Sequence, residues 1–410
     1  MKKAQLEWHV LLLVTLGLVA FGLVMVYSAT SAAAALGGGD PTRYLARQGA
    51  YALIGLCLLA VTARVDYRIW RTLAPTLLAV TFALCVAVLV LGTPINGARR
   101  WLTFGPAVFQ PSELAKLALA LWAAAYLCRR RAPQTLGELA RPLGLVAALF
   151  CGVILLEPDL GTAICIVIML GGLLLVSGTR VGVLATAGGI ATFAGVAAIW
   201  IEPYRRARLL SFMNPWDDAQ GAGYQSVQAL IGLASGGVFG KGLGQGVQKI
   251  FYLPEAHTDM IFAIVGEELG LIGSTLVIAA YGVFAYAGLH VALRCTDPFG
   301  KRLAAALTAL VCGQAVVNLA AVLGLAPLTG IPLPFVSAGG SSLVVALIGV
   351  GILLNIASSG GRALAAVPDR GRGDGRTRPA RARGGGRAGR ARGGGDVRRV
   401  AGARRGAARS

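Results

Sequence analysis

Apolar runs long enough to cross a bilayer constrain this chain more than any motif it carries. A hydrocarbon core about 30 Å thick is spanned by roughly 20 helical residues. Such runs fall near residues 8–29, 46–63, 73–92, 113–128, 142–157, 160–177, 181–201, 271–293, 303–325 and 341–357. Those at 113–128 and 142–157 are short, which suits a tilted helix or one packed inside a bundle. Only 14% of the 410 residues are charged, against about 25% in an ordinary soluble domain. The pattern predicts an all-α polytopic membrane protein with about ten transmembrane helices. The opening Met-Lys-Lys and apolar run imitate a signal peptide. Residues 8–29 exceed the roughly 7–15 residues of a signal's apolar core, so they read as an uncleaved first span.

An even number of spans puts both termini on one side, and arginine decides which. The segments after spans two, four, six and eight carry Arg64, Arg68 and Arg71; Arg129, Arg130 and Arg131; Arg180; and Arg294, Lys301 and Arg302. With Lys2 and Lys3 they mark the cytoplasm under the positive-inside rule. The formal charge of +20 divides unevenly: residues 362–410 hold 15 Arg and 3 Asp, or +12, leaving +8 elsewhere. Residues 358–410 are Gly/Ala/Arg low complexity that cannot bury a core. They read as a disordered cytoplasmic tail suited to anionic lipid headgroups, with no nucleic acid expected. Residues 1–357 form the membrane domain.

On the opposite side, residues 202–270 form a large extracytoplasmic loop between spans seven and eight, too long for a mere connector. Within it Tyr224, Val227, Leu230, Ile231 and Ala234 repeat at helical spacing, predicting a short amphipathic helix at the interface. The Gly-rich SGGVFGKGLGQG follows. The stretch 258–291 is too long for one crossing, so residues 258–270 belong at the outer boundary or inside protein, and the span begins near Leu271. Arg43, Arg99, Arg100, Arg205, Arg206 and Arg208 lie on this side against the charge rule, which marks it for anion binding. Most of the seven Cys sit inside apolar runs as small buried hydrophobes. No disulfide framework or metal spacing is evident, so no cofactor is indicated and a divalent cation has no ligand motif to hold it.

Four polar segments stand out. In NGARRWLTFGPAVFQPSELAK, Arg99, Arg100 and Trp101 precede a turn. Ser112 is placed to cap the next helix, and Glu113 and Lys116, three apart, can face each other on it. A capped helix with an interfacial Trp and an ion pair explains the same residues, although Lys116 inside a span needs a reason to stay. In EPDLGTA, Glu157 and Asp159 mark the tightest outer turn, for which turn chemistry suffices. In YLPEAHTDMIF, Glu255, His257 and Asp259 cluster near Lys249, Glu267 and Glu268. A carboxylate in such a partly desolvated place can act as a general base near neutral pH, and Asp259 is the leading candidate. The loop APLTGIPLPFVSAGGSS reads as a re-entrant turn that must be buried in protein or face water. Its Ser337 and Ser341 are candidate sugar contacts.

These motifs, in this order, resemble the SEDS family (shape, elongation, division and sporulation) from about residue 8 to 357. YLPEAHTD and GEELG are similar to the division-type members, while GKGLGQG is similar to the elongation type. The resemblance implies a peptidoglycan glycosyltransferase that polymerises lipid II at the outer face of the bacterial cytoplasmic membrane. Its essential aspartate falls on Asp259. Its conserved polar positions fall on Arg99, Arg100 and Trp101, with Glu113 and Lys116 beyond them. It also implies a class B penicillin-binding protein as transpeptidase partner, other division proteins nearby, and a septal location.

The chemistry suits these residues: Asp259 as base, and Arg99, Arg100, Lys116 or Lys249 on a departing diphosphate. A lipid II flippase needs polar groups at several depths, whereas the charges here gather on the outer side. A non-catalytic division scaffold leaves the convergence near Asp259 unexplained.

Overall fold

The computed structural model describes residues 2–37, 41–95, 98–105, 107–250, 253–254 and 256–365. Glu255 and most of the expected tail lie outside these. The helices are α1 (Lys2–Gly37), α2 (Pro41–Arg64), α3 (Arg68–Leu91), α4 (Pro111–Leu127), α5 (Leu136–Leu139) and α6 (Leu145–Leu156). They continue as α7 (Leu160–Ser177), α8 (Val181–Ile201), α9 (Pro203–Met213), α10 (Tyr224–Ser235), α11 (Ile261–Arg294), α12 (Pro298–Val322) and α13 (Gly340–Ala365). Among the described residues nine helices are long and apolar enough to cross a membrane. The remaining expected run forms α4, only 17 residues long and buried on nearly every face. The run expected at 142–157 begins earlier, at Leu136, because non-helical backbone at Arg141 (φ −120°, ψ 116°) joins α5 to α6 through one π-helical turn. Helix α13 continues to Ala365, beyond the expected boundary at 357.

Burial sorts the helices. Helices α12 and α13 are 67% and 72% buried within the bundle, and α8 is 0% buried. Helix α12 packs on α4, α7 and α11, while α13 packs on α1 and α2. Helix α8 shows apolar side chains all round, including Phe193 and Ile201. That is tenable where lipid, not water, surrounds the helix.

The loops add elements that apolar periodicity did not reveal. Strands β1 (Thr93–Ile95), β2 (Ala98–Phe104) and β3 (Ala107–Phe109) form a small antiparallel sheet, with Pro94 opposite Arg99 and Thr103 opposite Val108. This is a local exception to the all-α architecture. Helix α9 starts with Pro203 at its first position, where the missing N–H costs nothing. Helix α10 forms where the spacing predicted it, but its Val227, Ala229 and Gly232 are buried and it packs on α11, so it belongs to the protein core as much as to an interface.

Helix α11 is broken at Gly270 (φ 65°, ψ −159°), a conformation essentially confined to glycine. The Gly-rich loop repairs the break. Leu271 N and Ile272 N donate to Gly237 O (2.9 Å) and Val238 O (3.2 Å), while Lys241 N and Gly242 N donate to Glu267 O (3.0 Å) and Glu268 O (2.9 Å). The first two turns of α11, Ile261 to Glu268, are wholly buried, and the lipid-length helix starts at Leu271, as the length argument requires.

Candidate functional site

Buried charges meet at the end of the bundle that carries the sheet, and most are paired. Glu267 accepts from Lys241 Nζ (2.8 Å), Val247 N (2.9 Å) and Gln248 N (3.0 Å). Glu268 accepts from Lys249 Nζ (2.7 Å) and Ser28 Oγ (2.7 Å), and Lys249 also reaches Ser28 Oγ (3.1 Å). Lys249 and Glu268 are almost fully buried. Neighbouring carboxylates thus tie the loop that leads to Asp259 onto α11, and Ser28 adds α1. An ion pair withdrawn from water survives only when further hydrogen bonds satisfy it, as they do here.

Arg100 serves the tight turn between α6 and α7. Its Nε donates to Glu157 O (2.9 Å), its Nη2 donates to Pro158 O, and its guanidinium lies 6.0 Å from the Trp101 ring centre. Arg99, its neighbour on β2, is exposed, and its side chain makes no hydrogen bond among the described residues. Asp159 caps α7 through Thr162 N (3.0 Å) and Thr162 Oγ1 (2.8 Å), and it also accepts from Gln110 Nε2 (3.1 Å). Helix α4 starts at Pro111, so Gln110 is its cap residue. Ser112 lies inside the first turn with its hydroxyl 3.4 Å from Asp159, rather than capping the helix. The Glu157 carboxyl is fully buried, without a hydrogen-bond partner among the described residues. Burial first, then the Asp159 carboxylate, push it up to about 8, against the opposing pull of Arg100.

Residues 331–337 of the loop between α12 and α13 are mostly buried non-helical backbone, and four of their carbonyls accept from protein side chains, as burial in a bilayer demands. Asn318 Nδ2 donates to Ile331 O (2.8 Å), Gln314 Nε2 to Pro332 O (2.9 Å), Tyr281 Oη to Pro334 O, and Gln48 Nε2 to Ser337 O (3.2 Å). The Ser337 hydroxyl accepts from Leu333 N (2.8 Å). Ser341 Oγ accepts from Gln110 N (3.1 Å) and donates to Val108 O (3.1 Å), joining α13 to the sheet. Both hydroxyls are therefore engaged within the fold.

Asp259 sits against this loop. Ala338 N donates to His257 O (2.9 Å), and Asn318 Nδ2 donates to Asp259 O (2.7 Å). The His257 ring packs edge-on to Tyr44, with centroids 5.2 Å apart. Asp259 is 9% exposed, and its Oδ1 accepts from Thr258 Oγ1 (3.2 Å). Through α12 it is linked to Lys116, whose ammonium is buried between Glu113 Oε1 (2.9 Å) and Gln314 Oε1 (2.7 Å). The facing of Glu113 and Lys116 read from their spacing is thus realised.

Gln314 and Asn318 are the connectors the sequence reading passed over. The signal was present, as two amides one turn apart within the apolar run 303–325, where polar groups are costly and seldom without purpose. Among the described residues no group of three or more His, Cys, Asp or Glu is placed to hold a metal ion.

Fold and site together define a polytopic membrane protein with a buried polar network at one end of its helix bundle. The family model for the cell cycle proteins FtsW, RodA and SpoVE matches residues 8–360, and the chain belongs to that family. A probable peptidoglycan glycosyltransferase FtsW of Geobacter sulfurreducens is 41% identical over 352 residues, covering 85% of this chain and 94% of that protein. Stage V sporulation protein E of Bacillus subtilis is 39% identical over 350 residues, covering 84% and 95%. Among solved structures, a chain from a peptidoglycan synthase complex that coordinates polymerization and crosslinking superposes with a TM-score of 0.72 at 31% identity. It covers 85% of this chain and 97% of that one. The rod shape determining protein RodA of Thermus thermophilus gives a TM-score of 0.63 at 29% identity, covering 85% and 96%.

Proposed function

We propose that this chain is a peptidoglycan glycosyltransferase that polymerises lipid II into glycan strands at the outer face of the bacterial cytoplasmic membrane, during division. The observation that carries this reading is the anchoring of Asp259. Its main chain is held from α12, the residue is only 9% exposed, and the α12–α13 loop, the sheet and the paired lysines gather at the same end of the bundle. The names borne by the relatives and the likeness to a peptidoglycan synthase complex support it.

The Asp259 carboxylate takes the proton of an acceptor sugar hydroxyl. That oxygen attacks the anomeric carbon of the donor as the bond to diphosphate breaks, and the polyprenyl diphosphate leaves with the electron pair. One inverting displacement needs one base, not a nucleophile and acid pair. Lys116 and Lys249 are committed to Glu113 and Glu268, and Arg100 to two carbonyls, so Arg99 is the cation of this set open to a leaving diphosphate. Trp101 beside it, with Glu255 and His257 on the Asp259 segment, completes the substrate contacts we assign; Ser337 and Ser341 shape the loop behind them.

In this reading α4 is the tenth crossing, both termini are cytoplasmic, and the basic tail meets anionic headgroups. A class B penicillin-binding protein supplies transpeptidation at the septum, among other division proteins. The deciding assay is fluorescent lipid II in vesicles reconstituted with this chain and that partner. Glycan polymer supports the reading; translocation of lipid II with no polymer supports a flippase instead.

A further inference from the structure

Helix α12 treats its two amides unequally. Gln314 is saturated: its Oε1 accepts from Lys116 Nζ (2.7 Å), and its Nε2 donates to Pro332 O (2.9 Å) and lies 3.4 Å from Ser342 Oγ. Asn318, one turn on, gives both amide hydrogens away, to Asp259 O (2.7 Å) and Ile331 O (2.8 Å). Its Oδ1 is buried with no hydrogen-bond partner among the described residues, and the residue is 2% exposed. The orientation is fixed by its surroundings, since turning the amide over would point Oδ1 at two carbonyl oxygens. A buried acceptor of this kind ordinarily has a partner from protein, water or ligand.

This acceptor oxygen lies on the same amide that holds the main chain of Asp259, the residue that serves as base. A group that a base deprotonates belongs to the acceptor, so the part of the substrate nearest Asp259 is the acceptor sugar. Sugars carry hydroxyl and acetamido donors, which is the chemistry Oδ1 lacks.

We propose that Asn318 is a substrate contact as well as a positioning residue. Its Nδ2 fixes the main chain of Asp259, and its Oδ1 accepts a hydrogen bond from an O–H or N–H donor of the acceptor sugar. This rests on the polymerase reading above. A neutral hydrogen bond of this kind is worth roughly five- to tenfold in apparent affinity.

The test compares wild type, Asn318→Ala and Asn318→Asp, each full length with its transpeptidase partner. The substrates are the native lipid-linked acceptor and analogues lacking one sugar donor at a time, outside the reacting hydroxyl. For the native acceptor, Asn318→Ala raises KM roughly five- to tenfold and also lowers kcat. For one analogue the wild-type-to-Ala ratio of KM values collapses towards one, because the deleted donor and the deleted acceptor are the same bond. A buried Asp facing the Asp259 and Ile331 carbonyls keeps its proton, so Asn318→Asp retains one donor and an acceptor of nearly the same size, and it keeps discrimination against that analogue while kcat falls. It serves alone should the Ala variant fail to accumulate. An Ala-to-wild-type ratio that stays constant across all analogues, or an Asp variant with no discrimination, overturns the proposal and leaves a water or purely structural role. Lack of polymer from wild type sinks the polymerase reading and this inference together; polymer with unchanged discrimination sinks this inference alone.

Discussion

At the residue scale, Glu157 shows how a buried acid without a hydrogen-bond partner among the described residues is tolerated. Its folded value of about 8 lies above the ordinary 4.5. Below the ordinary value it is neutral in folded and unfolded chains alike. Between there and about 8 the unfolded chain ionises while the folded one holds its proton, so stability falls as pH rises. Glu157→Gln should remove that loss and exceed wild type at pH 8 by up to roughly 4 kcal/mol. Melting curves in detergent from pH 5 to 9 check it, and parallel curves for the two proteins would contradict it. The Glu113–Lys116 pair behaves in the opposite way. Removing one member strands a buried charge, so Lys116→Met should cost about 3–5 kcal/mol, and Glu113→Gln with Lys116→Met should recover much of it. Thermal unfolding of wild type and both variants decides, and equal losses from the single and the double variant would refute a mutual pairing. The pairing was legible from spacing alone. The partner of Lys116 on α12 was not, because sequence separation hides which faces of distant helices meet.

At the element scale, Gly270 is the hinge on which the site's geometry depends. A Cβ there would meet Gly240 N and stand 2.6 Å from Val238 O, on top of an unfavourable φ. Gly270→Ala should therefore cost at least about 1–3 kcal/mol and loosen the Gly-rich loop. Hydrogen exchange at Leu271 and Ile272 reads this directly, since their amides depend on Gly237 and Val238 for acceptors. Unchanged protection in a folded variant would show that the loop does not hold the break. The break near 270 was legible because helix length and bilayer thickness are fixed quantities. The β-sheet and α9 were not, since residues 93–109 and 203–213 are short and alternate too weakly for periodicity to separate strand, helix and turn.

At the scale of the whole molecule, the Arg-rich segments expected on one side do share one end of the bundle. Tyr67 Oη donates to Asp297 (3.2 Å), Gln134 Nε2 to Gly178 O (3.0 Å), Arg302 Nε to Ser177 Oγ (3.2 Å), and Glu7 accepts from Arg294 (2.8 Å). In a background lacking the native cysteines, Asp218→Cys should react with an impermeant maleimide from outside intact cells, and Arg130→Cys only after permeabilisation. The reverse pattern would invert the topology. Apolar runs thus carried the architecture, while the site needed tertiary contacts. The Glu113–Lys116 pair, Asp159 and Asp259 come from three separate segments, and only the packing of α4, α7, α11 and α12 joins them. The most direct measurement is glycan synthesis from purified lipid II by Asp259→Ala with its transpeptidase partner. The account predicts a folded, membrane-inserted protein whose melting temperature stays near that of wild type and which makes no polymer. Polymer at the wild-type level from that variant would contradict it.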